Sequence, residues 1–163
     1  TSLFPELSVL ENVRIAIQAK GGGNNRVLGG RALLARTEAA AREALGFVNL
    51  EDRAAAPAST LPHGDQRLLE IAMALAQEPE LLLLDEPTQG LASEETAATA
   101  ALVRRISRER RVTILLVEHD MDVVFNVADR ISVLHFGGLI AEGSPAEIRR
   151  NVEVQKAYLG DAD

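Results

Sequence analysis

The chain has 163 residues, of which 47% are hydrophobic, enough to bury the core of one domain or of part of a larger one, and this excludes disorder. Its formal net charge of -7, from 17 Lys and Arg against 24 Asp and Glu, weighs against a broad nucleic-acid footprint, and nucleic acid is not an expected partner. The absence of cysteine excludes disulfides and thiolate metal sites, and no run approaches the roughly 18 apolar residues that cross a bilayer.

In chain order, residues 8–19 read as a helix, with Ser8 and Glu11 spaced as a capping box and Val9, Val13, Ala16 and Ile17 on one face. The glycines and asparagines of 21–25 end it as a flexible loop. A second, alanine-rich helix is expected over 33–45, closed by Gly46. A third starts at the turn Gly64-Asp65, with Leu68, Leu69, Ala72, Met73 and Ala76 at helical spacing. The run Leu61-Pro62-His63-Gly64-Asp65-Gln66 precedes it. Free backbone amides at a helix start favour anions, so an anion site and a plain helix cap are both open at this point.

After Pro79 the period changes. Residues 81–84 are four leucines between two prolines, too short for an independent helix, and a fully buried strand is expected. Residues 93–106 read as a helix capped by Ser93, with Glu94 and Glu95 where the helix dipole favours acids. A second buried strand over 112–117 follows, then a short helix over 120–127. The runs 131–134 and 139–141 flank Gly137-Gly138 as a hairpin, and a helical tail runs from Pro145 to near Gly160. The basic stretch from Arg104 to Arg111 reads as a solvated helix face.

Two short strands joined by one helix imply a right-handed parallel crossover. Their carboxyl ends then lie side by side, carrying Asp85-Glu86 and Glu118-His119, at the edge where open parallel sheets bind ligands. Magnesium on a triphosphate prefers carboxylate and water oxygens, so Asp85 suits the ion, usually through water. Glu86 points elsewhere and suits polarisation of an attacking water; such a base contributes about 100-fold to 10,000-fold in rate. A strand that merely ends in solvated acids is the competing reading, and Pro87-Thr88 with the downstream context weighs against it. His119, which alone would read as structural, gains a role from its place on the neighbouring strand, where its imidazole suits a γ-phosphate. The matching phosphate cradle, Gly-x-x-x-x-Gly-Lys-Ser/Thr, is absent from these 163 residues, whose lysines, Lys20 and Lys156, follow no glycine.

Together these segments resemble an ATP-binding cassette ATPase over nearly the whole chain. Residues 81–86 are similar to the Walker B motif, Leu61, Pro62, His63, Gly64, Asp65 and Gln66 to the family signature, Gly90, Leu91 and Ala92 to the D-loop, and His119 to the switch histidine. The opening 3–13, the stretch 118–122 and the tail segments 148–151 and 157–160 resemble the ATPase subunits of branched-chain amino acid importers. The resemblance implies an α/β fold of the P-loop NTPase-like cassette type, here partial. It divides the chain into a helical subdomain at 1–78, the C-terminal part of a RecA-like parallel sheet at 79–142 and a helical tail at 143–163.

The implied cofactors are ATP and Mg2+. Asp85 would hold the metal and Glu86 and His119 would be catalytic, while the signature and D-loop residues would meet the ATP of an opposing subunit. The implied partners are transmembrane permease subunits, a second ATPase subunit facing head to tail and, indirectly, a periplasmic solute-binding protein. The implied place is the cytoplasmic face of a bacterial inner membrane, peripherally attached. Rival readings are a non-transport cassette ATPase and a non-catalytic interaction fragment, with an exporter ATPase less favoured. Pro62 and His63 replace the usual serine and first glycine of the signature, Asp65 replaces its glutamine, and Ala92 stands where the D-loop carries Asp or Asn. A start at Thr1 without an initiating Met reads as lost upstream sequence. With no phosphate lysine and an internal strand missing from the sheet, the chain alone is expected to be inactive.

Overall fold

The computed structural model describes residues 3–20 and 30–159; the loop expected over 21–25, the terminal Thr1 and the tail end at Gly160 lie outside them. The helices are α1 (Val9–Lys20), α2 (Gly30–Phe47), α3 (His63–Leu75), α4 (Ser93–Arg110), α5 (Met121–Val127), α6 (Pro145–Arg150) and α7 (Val152–Leu159). The strands are β1 (Leu81–Asp85), β2 (Thr113–Val117), β3 (Ile131–His135) and β4 (Gly138–Gly143).

The first helix starts where its capping box places it. Ser8 Oγ accepts from the Glu11 amide at 3.2 Å, and the Glu11 carboxylate accepts from the Ser8 amide at 3.3 Å. Val9, Val13 and Ala16 are buried on the expected face, and Asn12 joins them, fully buried. Its carboxamide folds the preceding segment back onto the helix, accepting from the Phe4 amide at 2.8 Å and donating to the Phe4 and Ser8 carbonyls at 3.0 Å each. Ser8→Ala is expected to cost about 0.5–2 kcal/mol, read as a lower urea midpoint with an unchanged slope.

Helices α1, α2 and α3 pack on one another. Their buried side chains, Leu45, Leu69, Ile71 and Met73 among them, form one core with Leu82, Leu84, Leu102, Val103 and Ile106. A separate, smaller core under the hairpin joins Ile131 and Val133 to Ile148 and Val154. Strands β1 and β2 pair in parallel, with Leu82 opposite Ile114 and Asp85 opposite Val117, as the crossover argument requires. Strands β3 and β4 pair antiparallel as a second two-stranded sheet.

Several local expectations need correction. Strand β1 is not fully buried: Leu82 and Leu84 face the core, while Leu81 and Leu83 stand open, Leu83 at 66%. Strand β2 behaves alike, with Leu115 and Val117 exposed. Among the described residues only one face of this sheet is covered, and a continuous apolar run cannot say how many faces will be. Helix α4 is not capped by Ser93, its first helical residue; Ala92 is the cap, and its amide is taken up by the Glu95 carboxylate at 3.0 Å. Gly46 lies inside α2 rather than closing it. The hairpin turns on Phe136 and Gly137, with φ of 46° and 77°, leaving Gly138 to pair with His135. The basic stretch is not simply solvated. Arg104 donates to the Asn126 carbonyl and Arg105 to that of Phe47, while Arg110 pairs with Glu43 at 2.9 Å.

Candidate nucleotide site

Parallel pairing of β1 with β2 brings their carboxyl ends into register, and everything chemical follows from what leaves those ends. Asp85 is the last residue of β1 and is exposed. The chain then turns sharply. Glu86 has a φ of 44°, in the left-handed region, and its amide donates to the Val117 carbonyl at 2.9 Å, extending the pairing by one bond. The turn swings the Glu86 carboxylate toward β2, where its Oε1 lies 3.3 Å from His119 Nδ1. Glu86 is about one-third exposed and His119 about two-thirds, so both reach solvent from the sheet edge.

His119 is held from both sides. Its amide donates to Glu118 Oε2 at 3.2 Å, and the next residue, Asp120, caps α5 by accepting from the amides of Asp122 at 2.9 Å and Val123 at 3.2 Å. Beyond Glu86 the loop stays ordered by its own turns. The Gln89 amide donates to the Glu86 carbonyl at 3.1 Å, that of Leu91 to the Thr88 carbonyl at 3.2 Å, and Gly90 takes a φ of 77°. Sequence reasoning passed over a contact in this loop. Thr88, buried, donates both its amide, at 3.0 Å, and its hydroxyl to Glu118 Oε1. The signal was there in a hydroxyl residue just past the two acids and a carboxylate just before the histidine.

The segment 61–66 meets the segment 90–92 rather than the Glu86-His119 pair. Leu61 is buried and anchors the segment, and Gln66 Nε2 donates to the Leu61 carbonyl at 2.9 Å. Pro62 caps α3, which begins at His63, one residue before the expected Gly64-Asp65 turn. The first intrahelical bond runs from Gln66 N to the Pro62 carbonyl at 3.0 Å, so the amides of His63, Gly64 and Asp65 precede the helix ladder. Pro62 and His63 are exposed, whereas Gly64, Asp65 and Gln66 are half-buried. A Cβ on Gly64 would stand 3.3 Å from both Leu91 Cδ2 and Glu95 Oε1, so a larger residue there requires these two side chains to give by a few tenths of an ångström. A cavity of about 360 Å³ lies at this junction, lined by Gly64, Asp65, Leu91, Glu95 and Arg105 among others. Ala92 is exposed as the cap of α4.

The donor set suits a magnesium nucleotide. Asp85 presents a carboxylate at the open end of a strand, and among the described residues no three His, Cys, Asp or Glu side chains cluster to enclose a metal. Magnesium characteristically takes one or two carboxylates and keeps its waters and phosphate oxygens.

A family model described as ABC transporter matches residues 1–89, and one described as branched-chain amino acid ATP-binding cassette transporter matches residues 139–163. The chain is 42% identical to the high-affinity branched-chain amino acid transport ATP-binding protein LivG of Salmonella typhimurium, covering 98% of this chain and 65% of that protein. It is 39% identical to BraF of Pseudomonas aeruginosa, a protein of the same description, with the same coverage. The chain thus spans 65% of the length of these relatives. Among solved structures, it superposes on the ADP conformation of MJ1267, an ATP-binding cassette of an ABC transporter, with a TM-score of 0.74, 25% identity and coverage of 96% of this chain and 64% of that one. It also matches the dimeric, post-hydrolysis cassette MJ0796 bound to ADP and Pi, with a TM-score of 0.72, 29% identity and coverage of 88% and 59%.

Proposed function

The chain belongs to the ABC transporter family, and from that premise we propose that it is the signature and Walker B portion of an importer's ATP-hydrolysing subunit, serving branched-chain amino acids or related solutes. The observation that carries the reading is the side-by-side delivery of Asp85, Glu86 and His119 from the ends of two parallel strands, with Glu86 and His119 in contact. The cassette's cofactors are ATP and Mg2+, the metal lowering the charge on the phosphates when bound. Asp85 would hold the metal, Glu86 would accept a proton from the attacking water, and His119 would donate to the γ-phosphate from the ring nitrogen that does not face Glu86.

Residues 61–66 and 90–92 form a second surface, away from this pair. In the proposed head-to-tail dimer it closes the ATP site of the opposing subunit. The amides of His63, Gly64 and Asp65 supply the anion donors there, because Pro62 has no hydroxyl to offer. Transmembrane permease subunits dock the dimer at the cytoplasmic face of the inner membrane, and a periplasmic binding protein acts through them. No described helix is long and apolar enough to cross a membrane. The match of residues 139–163 to the branched-chain type and the identities to LivG and BraF support the solute class.

Affinity capture from a membrane extract tests the assignment. The intact subunit should bring down a multispanning permease, and recovery without any such protein would count against it. The 163-residue chain alone has no lysine following a glycine to grip the β- and γ-phosphates. Isothermal titration of that chain with Mg-ATP is expected to show no tight binding; micromolar affinity would overturn this part.

A further inference from the structure

We propose that Glu118 is a positioning residue of the hydrolytic site, a clamp that holds Glu86 and His119 in their mutual geometry without touching nucleotide; this rests on the function proposed above. Two loops meet at this edge. Each leaves a different strand, and among the described residues one backbone bond, from Glu86 to Val117, joins them, beside the exposed contact of Glu86 with His119. One backbone bond leaves a hinge. The Glu118 carboxylate supplies the further fastening, with its two oxygens used differently.

Oε1 accepts from both the amide and the hydroxyl of Thr88, two residues beyond Glu86. Oε2 accepts from the amide of His119. One side chain on β2's exit thus grips the loop of β1 on one side and the backbone of the histidine on the other. Bonds to an ionised acceptor are about twice as strong as neutral ones, and Thr88 is buried, so losing the acceptor would strand an amide and a hydroxyl away from water. Glu86 also sits in a left-handed conformation that a non-glycine residue leaves when its surroundings let it. The clamp is what over-determines that conformation from the far side, while the bond to Val117 holds the near side.

A carboxylate is the group this geometry asks for. Glutamine keeps an acceptor for Thr88 and turns an NH2 group toward the His119 amide, losing one bond of three. Alanine loses all three. The expected order of turnover is therefore wild type, Glu118→Gln, Glu118→Ala.

The test is steady-state ATP hydrolysis by the intact subunit carrying Glu118→Ala, Glu118→Gln, Thr88→Val and the Glu118→Ala/Thr88→Val pair, beside wild type and Glu86→Gln. Displacing a catalytic group by about 1 Å costs on the order of 100-fold, so Glu118→Ala should lower kcat by about 10-fold to 100-fold with KM changed less than about threefold. Glu118→Gln should recover most of that loss. Thr88→Val, which removes the hydroxyl bond and keeps the amide bond, should lower kcat less than Glu118→Ala, and the double variant should be no worse than the poorer single one, the mark of two groups acting through one contact. A merely stabilising role would lower the active fraction and the melting temperature without this non-additivity or the rescue by glutamine. Should Glu118→Ala fail to fold, Thr88→Val and Glu118→Gln still decide. Glu118→Ala within about threefold of wild-type kcat, Thr88→Val with kcat indistinguishable from wild type, or strictly additive losses overturns the clamp, while an inactive Glu86→Gln leaves the site assignment standing. If the wild-type subunit does not hydrolyse ATP, or Glu86→Gln turns over normally, the functional reading itself fails and the clamp with it.

Discussion

Glu86→Gln in the intact subunit is expected to reduce kcat for ATP hydrolysis by about 100-fold to 10,000-fold while leaving ATP affinity little changed. The substitution keeps the size of the side chain and its reach toward His119, 3.3 Å away, and takes away the charge and the ability to accept a proton. Binding should survive, because the phosphate and metal contacts are assigned to other groups, Asp85 among them. A stopped-flow binding assay and a phosphate-release assay on the same preparation separate the two quantities. Hydrolysis retained within about threefold would remove Glu86 from the role of base, and loss of binding in parallel with turnover would make it a binding residue instead.

Leu69→Ala carries the second large effect, this time on stability. Leu69 is fully buried in α3, in the core that α1, α2 and α3 share with the inner face of β1. Truncating a fully buried leucine costs about 2–5 kcal/mol, the transfer term plus the cavity that close-packed neighbours only partly refill. A folded domain has about 5–15 kcal/mol in all, so the urea midpoint should drop by a large fraction of its value. A loss below about 1 kcal/mol would mean that α3 is not seated as described. The effect extends to function because α3 begins at His63. A loosened helix no longer presents the amides of residues 63–65 rigidly, and the surface proposed to face a second subunit degrades with it.

The parts of this molecule written in local chemistry were legible. Ser8 with Glu11 placed the first helix start, and the short apolar runs on either side of a helix placed a parallel pair with its acids and histidine at one edge. What was not legible depended on neighbours distant in the chain. Four consecutive leucines announce a strand, but whether Leu81 and Leu83 meet another layer is decided by which elements pack there, which no four-residue window contains. Ser93 has the better capping side chain, yet Ala92 holds the cap, with the Glu95 carboxylate accepting from its amide, half of a capping box that needs no cap side chain. Gly46 stays helical because α2 continues to Phe47, whose ring lies 4.4 Å from the Arg105 guanidinium. Within the site, the residues that bear titrating groups could be named in advance. The bond between Glu118 and Thr88, which are thirty positions apart, could not.

The left-handed turn at Glu86 has a cost that reaches beyond geometry. A side chain at a φ of 44° carries a steric penalty of about 1–2 kcal/mol, while glycine's extra freedom in the unfolded chain costs only about 0.4–1 kcal/mol. Glycine would therefore make the folded chain tougher at this position, and it would also delete the carboxylate. With Glu86 as the proposed base, heat resistance and turnover pull one position in opposite directions. A library ranked by survival at high temperature alone should enrich glycine there, collecting well-folded chains that lack the proposed base.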